Sequence, residues 1–246
     1  MPHRCSTELW SSIDDALLKY KNQKDWKTVL EDFENISEKY IRGDVKSNSN
    51  YKGNFDQAWK SCKGRLYEYI VYNYIKEILE KNGISSISVK MEDQLENNEK
   101  SSIQIHNWDE IMPDTDLVLE KNDKILAILS CKTSLRERLT ETAFWSNILK
   151  ARYENNIEIV FITTNKDDEL QQKNNRYIIQ HVVDATLITN KEKHSQFIEY
   201  IRTRYKDKKD LSNFLSKIYN TDTFIDYIKS HDKPNDKTHS SAWGKV

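Results

Sequence analysis

The chain has 246 residues, with 38 basic side chains against 39 acidic ones and a net charge of −1 at pH 7. Its 6 Trp, 13 Tyr and 7 Phe can fill an interior and exclude wholesale disorder, while 5 Gly and 3 Pro exclude a collagen-like repeat and weigh against glycine-rich phosphate loops. The balanced charge announces no polyanionic partner and excludes none, because a basic groove can surround an acidic site.

No run of about 18 apolar residues is present, and Met1-Pro2-His3-Arg4-Cys5-Ser6 lacks the apolar stretch of a secretory signal, so the expectation is a soluble, cytoplasmic protein with no membrane partner. Cys5, Cys62 and Cys131 are odd in number, far apart and without a CxxC pair, which predicts reduced thiols and no zinc knuckle. The six histidines show no HExxH or other ligand spacing.

In chain order, residues 8–42 read as two helices, with Trp10, Ile13 and Leu17 on one stripe and Val29, Phe33, Ile36 and Tyr40 on another. A loop or hinge over 43–53 precedes a strong helix over 55–81, with Gly83 as its C-cap. A strand over 84–91, a polar link over 92–102, a short strand over 103–108 and a turn at Pro113 follow. Residues 116–119 and 125–132 read as a β-hairpin closed at 121–124. A helix over 135–153, an apolar strand at 159–162, a polar loop to Asn175 and a strand near 178–188 come next. Two more helices over 191–231 and a polar tail end the chain. This order predicts an α/β fold in three parts (1–54 helical, 55–190 core, 191–246 helical with a tail) within one compact domain.

Alternate side chains of a strand share a face, so Ser130 and Lys132 point one way and Cys131, an inward core residue, the other. Burying the Lys132 ammonium is costly unless anions compensate it, and Asp116 opens the neighbouring strand. A surface lysine with Asp114 and Asp116 as turn or capping residues fits the same pattern. Arg136-Glu137-Arg138 places two of only nine arginines at a helix start, where the dipole mildly disfavours cations. That suits a reach toward an external target, or simply solvated charge.

Pro113-Asp114-Thr115-Asp116, a short hairpin and Ser130-Cys131-Lys132 together resemble the PD-(D/E)xK nuclease motif, with Ser130 at the usual Asp/Glu position. Ser130-x-Lys132 followed by Arg136-Glu137-Arg138 is similar to the S-x-K and R-(D/E)-R arrangement of CCGG-recognising type II restriction endonucleases, and residues 130–145 resemble the BsaWI-like enzymes. The resemblance implies a mixed central sheet flanked by helices, with helical N- and C-terminal additions. It also implies Mg2+-dependent hydrolysis of double-stranded DNA by a homodimer, at a short palindrome containing CCGG or related GG/CC steps.

By the same resemblance, Glu68, Asp116, Ser130 and Lys132 are the catalytic candidates. Asp116, Glu68 and the Cys131 backbone carbonyl would hold metal, with Asp114 and Glu141 as further candidates. Arg136, Glu137 and Arg138 would read bases. Ser130 supplies no negative charge, so Glu68 or Glu141 would have to make up the deficit. Two other readings remain open: a structure-specific junction or repair nuclease of the same fold, and a DNA-binding module that has lost metal chemistry.

Overall fold

Ser6 opens the first helix by accepting a hydrogen bond from Leu9 N, and α1 (Thr7–Lys21) buries Leu9, Ile13, Ala16 and Leu17 at helical spacing. In the same way Asp25 caps α2 (Trp26–Glu31) through Thr28 N. A short α3 (Phe33–Asn35), a π-helical stretch Ile36–Ile41 and α4 (Arg42–Asn48) follow. Helix therefore runs through Gly43, half-way into the segment expected as a loop, because Val45 is buried in the core. These coordinates are a computed structural model that describes residues 5–22, 24–106, 108–135, 138–152 and 157–232.

The helix expected over 55–81 is α5 (Phe55–Lys81), capped by Asn54. It ends where Gly83 takes φ +66° and Ile84 N donates back to Leu79 O, a Schellman-type stop that favours glycine. Cys62 of α5 forms a disulfide with Cys5, which overturns the expectation of reduced thiols at these two positions. The residues are 57 apart in sequence, and packing of α1 on α5 brings their Cα atoms to 4.6 Å. Cys131 is free and buried.

The rest of the chain comprises β1 (Ile87–Met91), a 3-10 turn Glu92–Gln94, α6 (Asn97–Ile103), β2 (Ile105–His106), β3 (Glu110–Ile111), β4 (Leu117–Lys121) and β5 (Lys124–Lys132). Then come α7 (Arg138–Arg152), β6 (Glu158–Thr163), a 3-10 turn Glu169–Gln171, α8 (Lys173–His181), β7 (Ala185–Ile188), α9 (Lys191–Arg204), α10 (Leu211–Leu215), β8 (Ile218–Tyr219) and α11 (Phe224–Asp232). The strand expected near 178–188 is thus helix as far as His181 and strand only from Ala185. The β-branched run at 178–183 looks strand-like, but Ile179 is buried from the helix. Part of the link over 92–102 is likewise helical.

Six strands form one sheet in the order β1-β4-β5-β6-β7-β8, while β2 and β3 pair in a separate ribbon. The pairs β1-β4 and β4-β5 are antiparallel, and the remaining three are parallel. Asn122 and Asp123 close the β4–β5 hairpin at φ +51° and +60°, the left-handed pair that a type I′ turn requires. One sheet face, with Ala127, Leu129 and Cys131, packs on the N-terminal helices, α5 and α11. The other, with Val118, Ile128 and Phe161, packs on α7 to α10. Helices on both faces of a mixed sheet make the expected α/β class. Among the described residues no helix is long and apolar enough to cross a membrane.

Helix α11 is tied to the start of β6 by Glu158, which accepts from Tyr227 Oη at 2.8 Å and lies 3.1 Å from His231 Nε2. The hydrogen bond to Glu158 raises the imidazole pKa against the opposing effect of burial. Burial pushes the Glu158 carboxyl up, but bonds from His231 and Tyr227 outweigh it and leave the pKa lowered. The His231 contribution is therefore full below the unfolded imidazole pKa of about 6.5 and is lost as pH rises through the higher folded value. Raising pH from about 6 to 8 should cost the wild type up to about 1 kcal/mol more than His231→Gln, read by urea unfolding at each pH.

Candidate active site

The antiparallel β4–β5 pairing brings the residue just before β4 and the last residue of β5 to the same rim of the sheet. Asp116 is 1% exposed there and Lys132 3%. Lys132 Nζ donates to Asp114 Oδ2 at 2.8 Å and to Asp116 Oδ2 at 2.9 Å, and the same Asp116 oxygen accepts from Cys131 N at 2.7 Å. Burial alone would lower the ammonium pKa, but Asp116 and Asp114 together outweigh it, and the pKa is raised above the ordinary lysine value. Lys132 is a buried, charged donor between two carboxylates, not a surface lysine.

Glu68 is 3% exposed on α5. Arg65 Nη1 lies 3.3 Å from Glu68, and Nη2 pairs with Asp93. Asp93 follows Glu92, whose N donates to Asp116 O at 3.3 Å. Arg65 and Asp93 were not singled out from the sequence. Arg65 does lie three residues before Glu68, the spacing at which helical side chains meet.

Ser130 shares the Lys132 face but turns to α7, where its Oγ lies 3.0 Å from Thr142 Oγ1. Thr142 donates to Arg138 O at 3.0 Å, so Ser130 is the donor of that pair. The residue at the usual acidic position thus braces the first residue of α7. Glu141, one position before Thr142, is exposed. Arg138 opens α7 and is exposed, whereas Arg136 and Glu137 lie outside the described residues. Glu169, in a polar stretch expected as plain loop, accepts from Leu135 N at 2.7 Å.

Among the described residues, no group of three or more His, Cys, Asp or Glu is disposed to hold a metal ion. The donors gathered around Lys132 are all oxygens, from Asp114 and Asp116, whose side chains are about 20% and 0% exposed. Mg2+ takes oxygen ligands, commonly one or two carboxylates completed by water and substrate phosphate, so two aspartates at a rim fit that ion.

A family model described as BsaWI restriction endonuclease type 2 matches residues 94–217, half of the chain. The chain belongs to the BsaWI family of type II restriction endonucleases. The matched span holds Asp114, Asp116, Ser130, Lys132 and Arg138 and leaves Glu68 outside it. Two inferred type II restriction enzymes are similar to this BsaWI-family chain. MjaVIP of Methanocaldococcus jannaschii is 30% identical over 155 residues, 55% of this chain and 68% of the relative. HpyAORF263P of Helicobacter pylori is 33% identical over 126 residues, 48% of this chain and 65% of the relative.

Among solved structures, the restriction endonuclease PspGI in complex with substrate DNA superimposes with a TM-score of 0.57 at 14% identity, covering 90% of this chain and 92% of that one. That likeness establishes the PD-(D/E)xK fold. Enzymes of the BsaWI family are site-specific endonucleases, and this chain is one of them.

Proposed function

We propose that the chain hydrolyses double-stranded DNA in a Mg2+-dependent reaction at a short palindrome containing CCGG or related GG/CC steps, and that it acts as a homodimer. One observation carries the reading: a buried ammonium clasped by Asp114 and Asp116, at the sheet rim from which the Arg138 helix departs. In this reading residues 55–190 form the nuclease core, with residues 1–54 and 191–246 as helical additions.

Asp116 and Asp114 would hold Mg2+, with the Cys131 carbonyl as a further ligand. Bound there, Mg2+ supplies Lewis acidity toward the scissile phosphate and lowers the pKa of a water. The chain's own residues do the rest. Cys131 N and Lys132 fix the Asp116 carboxylate in one orientation before substrate arrives. Lys132 would donate to phosphate or water and offset developing negative charge. Arg136 and Arg138 donate pairs of hydrogen bonds to guanine O6 and N7, and Glu137 accepts from cytosine amino groups. A palindrome read one half per subunit calls for a two-fold dimer.

Plasmid DNA incubated with the protein and MgCl2 should give discrete bands that EDTA abolishes, and sequencing the ends should return one palindrome. A smear, cutting confined to branched substrates, or binding without cutting would each overturn the reading.

A further inference from the structure

We propose that Glu169, on the turn after β6, is a positioning residue for Arg138 as a base reader; this rests on the reading just given. Its carboxylate accepts a hydrogen bond from Leu135 N at 2.7 Å. Leu135 is buried, and its carbonyl accepts from Arg138 N at 2.7 Å and from Leu139 N at 3.4 Å, so the residue Glu169 grips is the one on which α7 starts. A charge-assisted bond to a backbone amide is among the stronger neutral-to-ion contacts, and a carboxylate at a helix start also complements the helix dipole.

Glu169 is itself held from several sides. Its carbonyl accepts from Asn175 Nδ2 at 2.9 Å, and Asn165 Oδ1 accepts from Leu170 N at 3.2 Å. Asn165 and Asp168 both take left-handed backbone (φ +51° and +55°), and Lys193 Nζ holds Asp168 at 2.7 Å. Strain of this kind persists only where the surroundings impose it. The turn rises from Thr163, which pairs in register with Lys132, so the grip on Leu135 is anchored to the rim that carries the ammonium. Thr142 and Ser130 hold the Arg138 carbonyl from the other side. The Arg138 backbone is thereby held at its amide through Leu135 and at its carbonyl through Thr142.

A mere helix cap would affect stability and leave base discrimination alone, so discrimination is the readout. With the target defined by sequencing wild-type ends, kcat/KM is compared on that site and on a site with one base pair changed. Glu169→Ala should lower the ratio about tenfold, within the range of one bidentate base contact, while non-specific binding stays within about twofold. Glu169→Gln keeps an acceptor of the same reach and should stay within about twofold of wild type. Glu169→Asp, shorter by one methylene, should lose discrimination while folding, which keeps the test intact if the alanine variant is unstable.

Wild-type discrimination in the Asp and Ala variants, or a Gln variant as impaired as Ala, would overturn the proposal. Arg138→Ala in the same assay separates the two levels. If Arg138→Ala is selective and Glu169 variants are not, only the positioning role falls. If Arg138→Ala is not selective, the base-reading assignment falls with it.

Discussion

Lys132→Ala is expected to lower Mg2+-supported cleavage by about 10²- to 10⁴-fold, the range in which a positioned charged donor or proton-transfer group contributes, while DNA binding without metal changes little. The expectation follows from the site's geometry. The ammonium donates to both Asp114 and Asp116, and their charges raise its pKa. Its removal also takes an ammonium from the 1% exposed Asp116 carboxylate, so some loss of stability is expected as well. Circular dichroism and gel-shift titration in EDTA separate the two effects: a folded variant that binds and does not cut supports the role. A folded variant that cuts at the wild-type rate removes Lys132 from the chemistry.

Arg138→Ala should weaken binding to the cognate site by about 10- to 100-fold, matching about 1–3 kcal/mol for one bidentate arginine–guanine contact, with non-specific affinity changed less than about threefold. Arg138 is exposed at the first position of α7, where a cation gains nothing from the dipole and its side chain is available to a duplex. Competition binding at fixed salt checks this, since phosphate contacts respond to ionic strength and base contacts far less. Equal losses on both DNAs would make Arg138 a backbone contact.

The pairing of Asp116 with Lys132 could be read from the chain because the two lie at the open ends of a local hairpin whose turn residues announce themselves, so strand alternation alone aligns them. The long α5 was equally plain, since 27 residues without proline end at a glycine. Contacts of large sequence separation were not readable. The Cys5–Cys62 bond spans 57 residues and depends on α1 settling onto α5, which no spacing rule encodes. Glu169 reaches back 34 residues to Leu135 through a turn whose residues looked like ordinary solvated loop. The strand misassigned at 178–181 failed for a different reason: β-branched side chains there fill one face of a helix, and burial overrode intrinsic preference.

β5 runs against β4 on one flank and alongside β6 on the other. Both the Asp116–Lys132 pair and the departure toward α7 therefore fall on a single rim, and the Asn122–Asp123 bend falls on the opposite one. Residues inserted at that bend would add slack on the far side only, whereas a slip of one residue anywhere along β5 would turn Lys132 to the other face. Descendants of this chain can thus vary freely in length at one border of the sheet while the spacing between the Asp116–Lys132 pair and α7 stays frozen at the other.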